Sequence, residues 1–160
     1  MLLAEALRER ADAKRQLTQL RDRIAASARH TEGEEPTEDA TALLDEADGL
    51  IGRQAQRIAA INRANLATGL PDGRTLTQAL ADRDALRARF QLLTGAADAA
   101  AGNGRGLGWL ARTGRQELRT FPTLDVTGLR RRADQVAEQI RTLDIAIERL
   151  NVTTELDEQG

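Results

Sequence analysis

The chain has 160 residues and a mass of 17.4 kDa, enough for one domain with a modest core. It carries 28 Ala, 23 Leu and 22 Arg against one Lys, one His, one Trp, two Phe and no Tyr or Cys. Thiolate chemistry is therefore excluded, and a catalytic triad or multi-His metal site would rest on His30 alone. Net charge is −2 and the sequence pI is near 5.5, so no global basic field draws in nucleic acid.

The first predicted element is a helix over 2–30. Leu3, Ala6, Ala13, Leu17, Leu20 and Ile24 fall on the 3-4 spacing of a seven-residue repeat, with Arg10 the one charged interruption, and no Gly or Pro precedes Gly33. Arg29 and His30 close it, where cations suit the helix dipole. The opening Met1–Arg8 lacks the basic start and apolar run of a secretory signal. Thr31–Pro36 then breaks the pattern with Gly, Pro and acidic residues.

A second helix is predicted over 38–66, starting near Thr37, whose hydroxyl suits an orphan backbone N–H. Glu38 and Asp39 suit the positive end of the dipole. Leu44, Ala47, Ile51, Ile58 and Ile61 form its expected buried stripe, with Gln54 and Asn65 at polar seam positions that can set register or oligomeric state. Gly49 and Gly52 either weaken this helix or admit a close neighbour. Gly69–Gly73 is a turn built on Pro71 and Asp72-Gly73.

Thr75-Leu-Thr-Gln78 has the form of a capping box and opens a third helix over 75–101, with Leu76, Ala79, Leu80, Leu86, Phe90 and Leu93 inside. Residues 102–124 form an insertion. Its Gly102–Gly108 stretch reads as a flexible linker, and Leu107–Ala111 and Gln116–Phe121 flank a turn that forms a short β-hairpin or extended segment. Asp125 caps a fourth helix over 126–151, in which Leu129, Ala133, Val136, Ile140, Leu143, Ile147 and Leu150 keep the heptad spacing. Leu156 extends the apolar strip past its end, and 157–160 reads as a frayed tail.

These elements predict a mainly all-α fold: an elongated bundle of four long antiparallel helices in one domain, 1–156. Helices of about 25 residues are roughly 37 Å long. The Ala-rich seams leave a thin core, and heptad spacing points to a homo-oligomer assembled through helix four at Ile140 and Ile147. Charge is uneven: residues 1–30 hold seven basic and four acidic side chains, 31–49 hold eight acidic and no basic ones. Opposite faces of this kind meet within a chain or between copies.

Little in the sequence speaks for catalysis. The Gly-rich loop follows neither phosphate-binding glycine pattern. Arg130-Arg131-Arg132 opposes the dipole of helix four and calls for an acidic partner, the 31–49 segment being the obvious source. With only Phe90, Trp109 and Phe121 available for stacking, no nucleic acid is expected. Glu34-Glu35 and Asp45-Glu46-Asp48 lack the loop pattern of a calcium site, so no metal and no cofactor is expected. No stretch approaches the ~18 apolar residues of a membrane span, and a cytoplasmic protein without membrane insertion is expected. The richest polar segment is Ile61–Asp84, which gathers Asn62, Arg63, Asn65, Thr68, Asp72, Arg74, Thr75, Arg83 and Asp84 around one turn. Such a cluster is a network that fixes the turn, a subunit contact or a ligand site; the structural reading is favoured.

The runs INR-x-N-x-AT (Ile61–Thr68) and DG-x-TLT-x-AL-x-x-RD (Asp72–Asp84) resemble the signature of a bacterial helical family called septicolysin-like. Leu3–Ala11, Glu32–Pro36, Thr123–Leu129 and Leu150–Leu156 are similar too, although Val152 stands where that pattern usually has Trp, and 102–114 is longer than expected. The resemblance implies an all-helical core with a short β element and a homo-oligomer. It brings no catalytic residue with it. Three functions follow as expectations: a non-enzymatic, self-associating bundle with a structural or interaction role; a membrane-active cytolysin, which the Ala-rich, mixed-charge helices support little; and a small-ligand or phosphate-binding module using Arg63, Asn65, Asp72 and Arg74. No protein partner other than a second copy is indicated.

Overall fold

The computed structural model describes residues 1–102 and 121–156. Four helices carry them: α1 (Leu3–Ser27), α2 (Ala40–Ala67), α3 (Leu76–Ala100) and α4 (Val126–Thr153). The fold is all-α, as the periodicity predicts. Among the described residues there is no strand, only the isolated antiparallel bridges Leu2–Glu155 and Gly69–Thr75. The hairpin expected between α3 and α4 falls outside the described residues except for Phe121, which is in irregular chain; the tail at 157–160 also lies outside them.

Helix ends differ from the sequence reading where capping chemistry decides them. Asp39, not Thr37, caps α2: its Oδ1 accepts from the N–H groups of Thr41 and Ala42 at 2.9 and 3.2 Å. A carboxylate satisfies two orphan donors and adds charge at the positive end of the dipole, which a hydroxyl cannot. α1 stops at Ser27, so Arg29 and His30 lie beyond its last turn and do not cap it. At the other end of α1, Glu5 reaches back to accept the Leu2 N–H at 2.8 Å.

The chain divides into two compact units, Met1–Thr77 with Arg149–Gly160, and Gln78–Glu148. In the first, α1 packs on α2 through Ala13, Leu20, Leu43 and Leu50, with Leu17, Ile24 and Ala47 beside them. The ion pair Glu9–Arg57 ties the start of α1 to the second half of α2, and Arg23–Glu38 ties the end of α1 to the residue before the α2 cap, so the two helices run antiparallel. Arg23 Nε donates to both Glu38 oxygens, at 3.1 and 3.0 Å. This bond lowers the Glu38 pKa and raises that of Arg23. The chain ends of this unit are knitted together: Leu3 N–H donates to the Thr154 carbonyl and Leu156 N–H to the Met1 carbonyl, both at 2.8 Å, which buries Leu156.

The buried residues of α2 are Leu43, Leu50 and Ile61: Ile61 is buried as the spacing predicts and Ala47 packs beside the core, while Leu44 and Ile51 give way to their neighbours Leu43 and Leu50. Leu44 and Ile51 are 55 % and 51 % exposed. Adjacent apolar pairs at 43–44 and 50–51 fit two parallel heptad registers, and packing against α1 selects the first.

In the second unit Leu93 packs with Ala133 and Val136, flanked by Leu86, Phe90, Leu129 and Ile140. Leu143 and Ile147 are also buried, so α4 buries the stripe predicted for it. Asp144 on α4 accepts from Arg87 Nη2 at 3.2 Å and lies 3.9 Å from Arg83 Nη1. Asp125 is the expected cap, its Oδ1 accepting from Gly128 N–H at 3.0 Å and its carbonyl from Leu129 N–H at 2.9 Å. A Cβ on Gly128 would collide with that carboxylate, so the glycine keeps the cap in place. Asp125→Ala is expected to cost about 1 kcal/mol, read as a lower urea midpoint with an unchanged slope.

Candidate functional site

The polar segment between α2 and α3 is a closed turn. The Thr68 N–H ends α2 on the Ala64 carbonyl at 2.9 Å, and Leu76 N–H, the first of α3, returns to the Thr68 carbonyl at 2.8 Å. Between them Leu70 N–H donates to the Arg74 carbonyl at 2.7 Å and Gly73 N–H to the Leu70 carbonyl at 3.0 Å. Gly73 sits at φ +86°, a conformation that a side chain disfavours. Leu70 and Leu76 point inward at 7 % and 1 % exposure and anchor both arms.

Asp72 fastens this turn from outside. Its Oδ1 accepts from the Arg74 backbone N–H at 3.1 Å, and its Oδ2 from Arg74 Nε and Nη2 at 3.1 and 2.6 Å. The side-chain bonds to Arg74, then the backbone bond, hold the Asp72 carboxyl below its ordinary pKa. A depressed pKa stabilises the fold above the unfolded value, and that contribution is lost as pH falls through the folded value. Wild type is therefore expected to lose melting temperature more steeply than Asp72→Asn below about pH 4. Parallel melts of the two proteins from pH 7 to pH 2 check this; superimposable slopes would show that the pair contributes nothing.

The other predicted residues disperse. Asn62 is exposed on α2, Arg63 faces a groove described next, and Asn65, Thr68 and Thr75 are half-buried around the turn. Arg83 and Asp84 belong to the second unit, where Arg83 Nη2 lies 3.3 Å from Asp84 and both Arg83 and Arg87 face Asp144. Arg74 and Asp72 satisfy each other, which is the geometry of a turn lock. Arg130, Arg131 and Arg132 are exposed, with no ion pair among the described residues, and Glu38 of the acidic segment pairs with Arg23 instead. Among the described residues no three His, Cys, Asp or Glu side chains stand close enough to hold a metal. No described helix is long and apolar enough to cross a membrane.

Two faces of α2 emerge that the sequence pattern does not assemble, although Arg63 on the first of them is already a candidate ligand residue. One is a groove of about 460 Å³ lined by Arg53, Gln56, Arg57, Ala60 and Arg63, closed by Met1 and Leu156. At 100° per residue these α2 side chains cover roughly 120° of the helix; the signal in sequence was arginine at i, i+4 and i+10. The other face carries Leu44, Ile51 and Leu66 at 55, 51 and 62 % exposure, with Asp48, Gly52, Ala55, Ala59 and Asn62, all exposed, between them.

Comparison with known proteins gives kinship without an activity. The model of a family described as a family of unknown function, DUF6847, matches residues 10–156. The chain is also similar to a functionally unknown conserved protein from Corynebacterium diphtheriae, known from a crystal structure, at 35 % identity and a TM-score of 0.88, over 98 % of this chain and 99 % of that one. No curated protein matches it.

Proposed function

The chain belongs to the DUF6847 family, and on that premise we propose that it is a non-enzymatic, self-associating helical protein of the cytoplasm with a structural or interaction role. The observation that carries this is the exposed face of α2 around Leu44, Ile51 and Leu66, which no described residue covers. It is self-complementary about Ala55. An antiparallel pairing of two α2 helices centred there sets Leu44 opposite Leu66, Asp48 opposite Asn62, Ile51 opposite Ala59, and Ala55 opposite itself. Apolar groups meet apolar groups, and the one acid on the face meets an amide able to donate to it. A two-fold interface requires this kind of self-match. No atom lies within 4 Å of where a Cβ on Gly52 would stand, so a second helix has room to approach closely at the centre.

Light scattering at micromolar concentration is expected to report a multiple of 17.4 kDa. A strict monomer overturns the proposal. The natural chain has no cysteine, so Ala55→Cys places a single thiol on the two-fold axis. Mild oxidation is expected to give a covalent dimer, while Arg53→Cys, on the opposite side of α2, gives none. Equal yields from both variants would point to random collision.

A further inference from the structure

We propose that the groove walled by Arg53, Gln56, Arg57 and Arg63 is a binding site for a small organic phosphate carrying two or more phosphoryl groups. It lies in the first unit and is built on a different face of α2 from the assembly surface, so either proposal can fail alone.

Charge supports it first. Three guanidinium groups line a groove with no acidic residue among its described lining residues, in a chain with a net charge of −2, and of the three only Arg57 has an acidic partner. Arg57 is held by Glu9 at 2.5 Å, which fixes one donor in place. Arg53 and Arg63 have no hydrogen bond or ion pair among the described residues. Their donors face water, which an anion can replace without breaking a protein contact. The guanidinium fork matches phosphate oxygens in pairs, and the resulting bonds are charge-assisted on both sides.

Size and lining narrow the class. About 460 Å³ falls within the range of small-molecule sites. Arg53 and Arg63 are ten residues apart, roughly 15 Å along the helix axis. One carboxylate cannot engage both ends of that span, whereas a di- or triphosphate ester reaches further and carries the charge to match. Ala60, Met1 and the buried Leu156 supply apolar surface for the organic part of such a molecule.

The test is calorimetric titration of the full chain at low salt with inorganic phosphate, pyrophosphate and ATP. Pyrophosphate and ATP are expected to bind more tightly than phosphate, with affinity falling as salt rises. Arg53→Ala and Arg63→Ala are each expected to weaken ATP binding about tenfold, the equivalent of about 1.4 kcal/mol. Melting curves of both variants check that they fold. Arg130→Ala, which removes an exposed arginine of α4, is expected to leave binding unchanged. The proposal is overturned if none of the three anions binds, or if the groove variants bind as wild type. An equal loss in Arg130→Ala would mean diffuse attraction to surface charge, and also overturns it. So does a poly-glutamate peptide that binds and is not displaced by ATP, since the groove would then serve an acidic protein partner.

Discussion

Ile61→Ala is expected to lower the stability of the protein by roughly 2–5 kcal/mol, while Ile51→Ala, measured in dilute protein, stays within about 0.5 kcal/mol of wild type. The two isoleucines sit on one helix, ten residues apart, and the heptad pattern assigns both to one buried stripe. Their surroundings differ. Ile61 is 2 % exposed and, among the described residues, is one of the three largest fully buried side chains, with Leu3 and Leu76. Removing three carbons there forfeits transfer free energy and leaves a cavity that the neighbouring helices fill only in part. Ile51 is 51 % exposed, so its truncation removes surface that water already touches. Domains of this size have total stabilities of about 5–15 kcal/mol, so the first substitution takes a large share of the whole. Urea midpoints at matched slopes give the comparison. Equal losses at both positions would mean that the register of α2 against α1 is wrong.

That contrast also measures how much was legible in sequence. Helix existence was legible throughout, because Gly and Pro punctuate the chain at 33–36 and 69–73 and apolar spacing fills the segments beside them. The buried faces of α1, α3 and α4 were legible too, since each offers one dominant stripe. On α2 the pairs Leu43-Leu44 and Leu50-Ile51 made two registers equally regular, and only the positions of Ala13 and Leu20 on α1 choose between them. That choice is a tertiary fact, absent from any local pattern. The polar segment was half legible. Asp72-Gly73 announced the turn, but sequence proximity could not show that Asp72 satisfies Arg74 or that Arg83 faces Asp144. The arginine groove is not legible as a whole: Arg63 stands in the polar cluster of the turn, no motif joins it to Arg53 and Arg57, and Leu156, almost a hundred residues away, closes the groove.

The same misplaced register decides which substitution can dissolve an assembly without dissolving the fold. Leu44→Glu with Ile51→Glu is expected to yield a helical monomer of 17.4 kDa under conditions where the wild type scatters as a multiple of that mass. Both side chains are more than half exposed, so the free chain accommodates the carboxylates in water at little cost. In the antiparallel pair each new carboxylate faces an apolar group, Leu66 or Ala59, and loses its hydration with no cation opposite it. A buried, unpaired charge costs several kcal/mol, and the two-fold axis repeats every such contact, giving four in the dimer. Ile140→Asp with Ile147→Asp, the substitution that the heptad spacing of α4 recommends, behaves differently. Ile147 is 4 % exposed and Ile140 packs against the Leu93 cluster, so the carboxylates enter the interior of their own unit. Loss of helical ellipticity is expected there, and any accompanying loss of mass would report unfolding. Circular dichroism and light scattering on both double variants separate the cases: full ellipticity with monomer mass for the α2 pair, reduced ellipticity for the α4 pair. If the α2 variant keeps its ellipticity and stays assembled, the copies meet through some other surface.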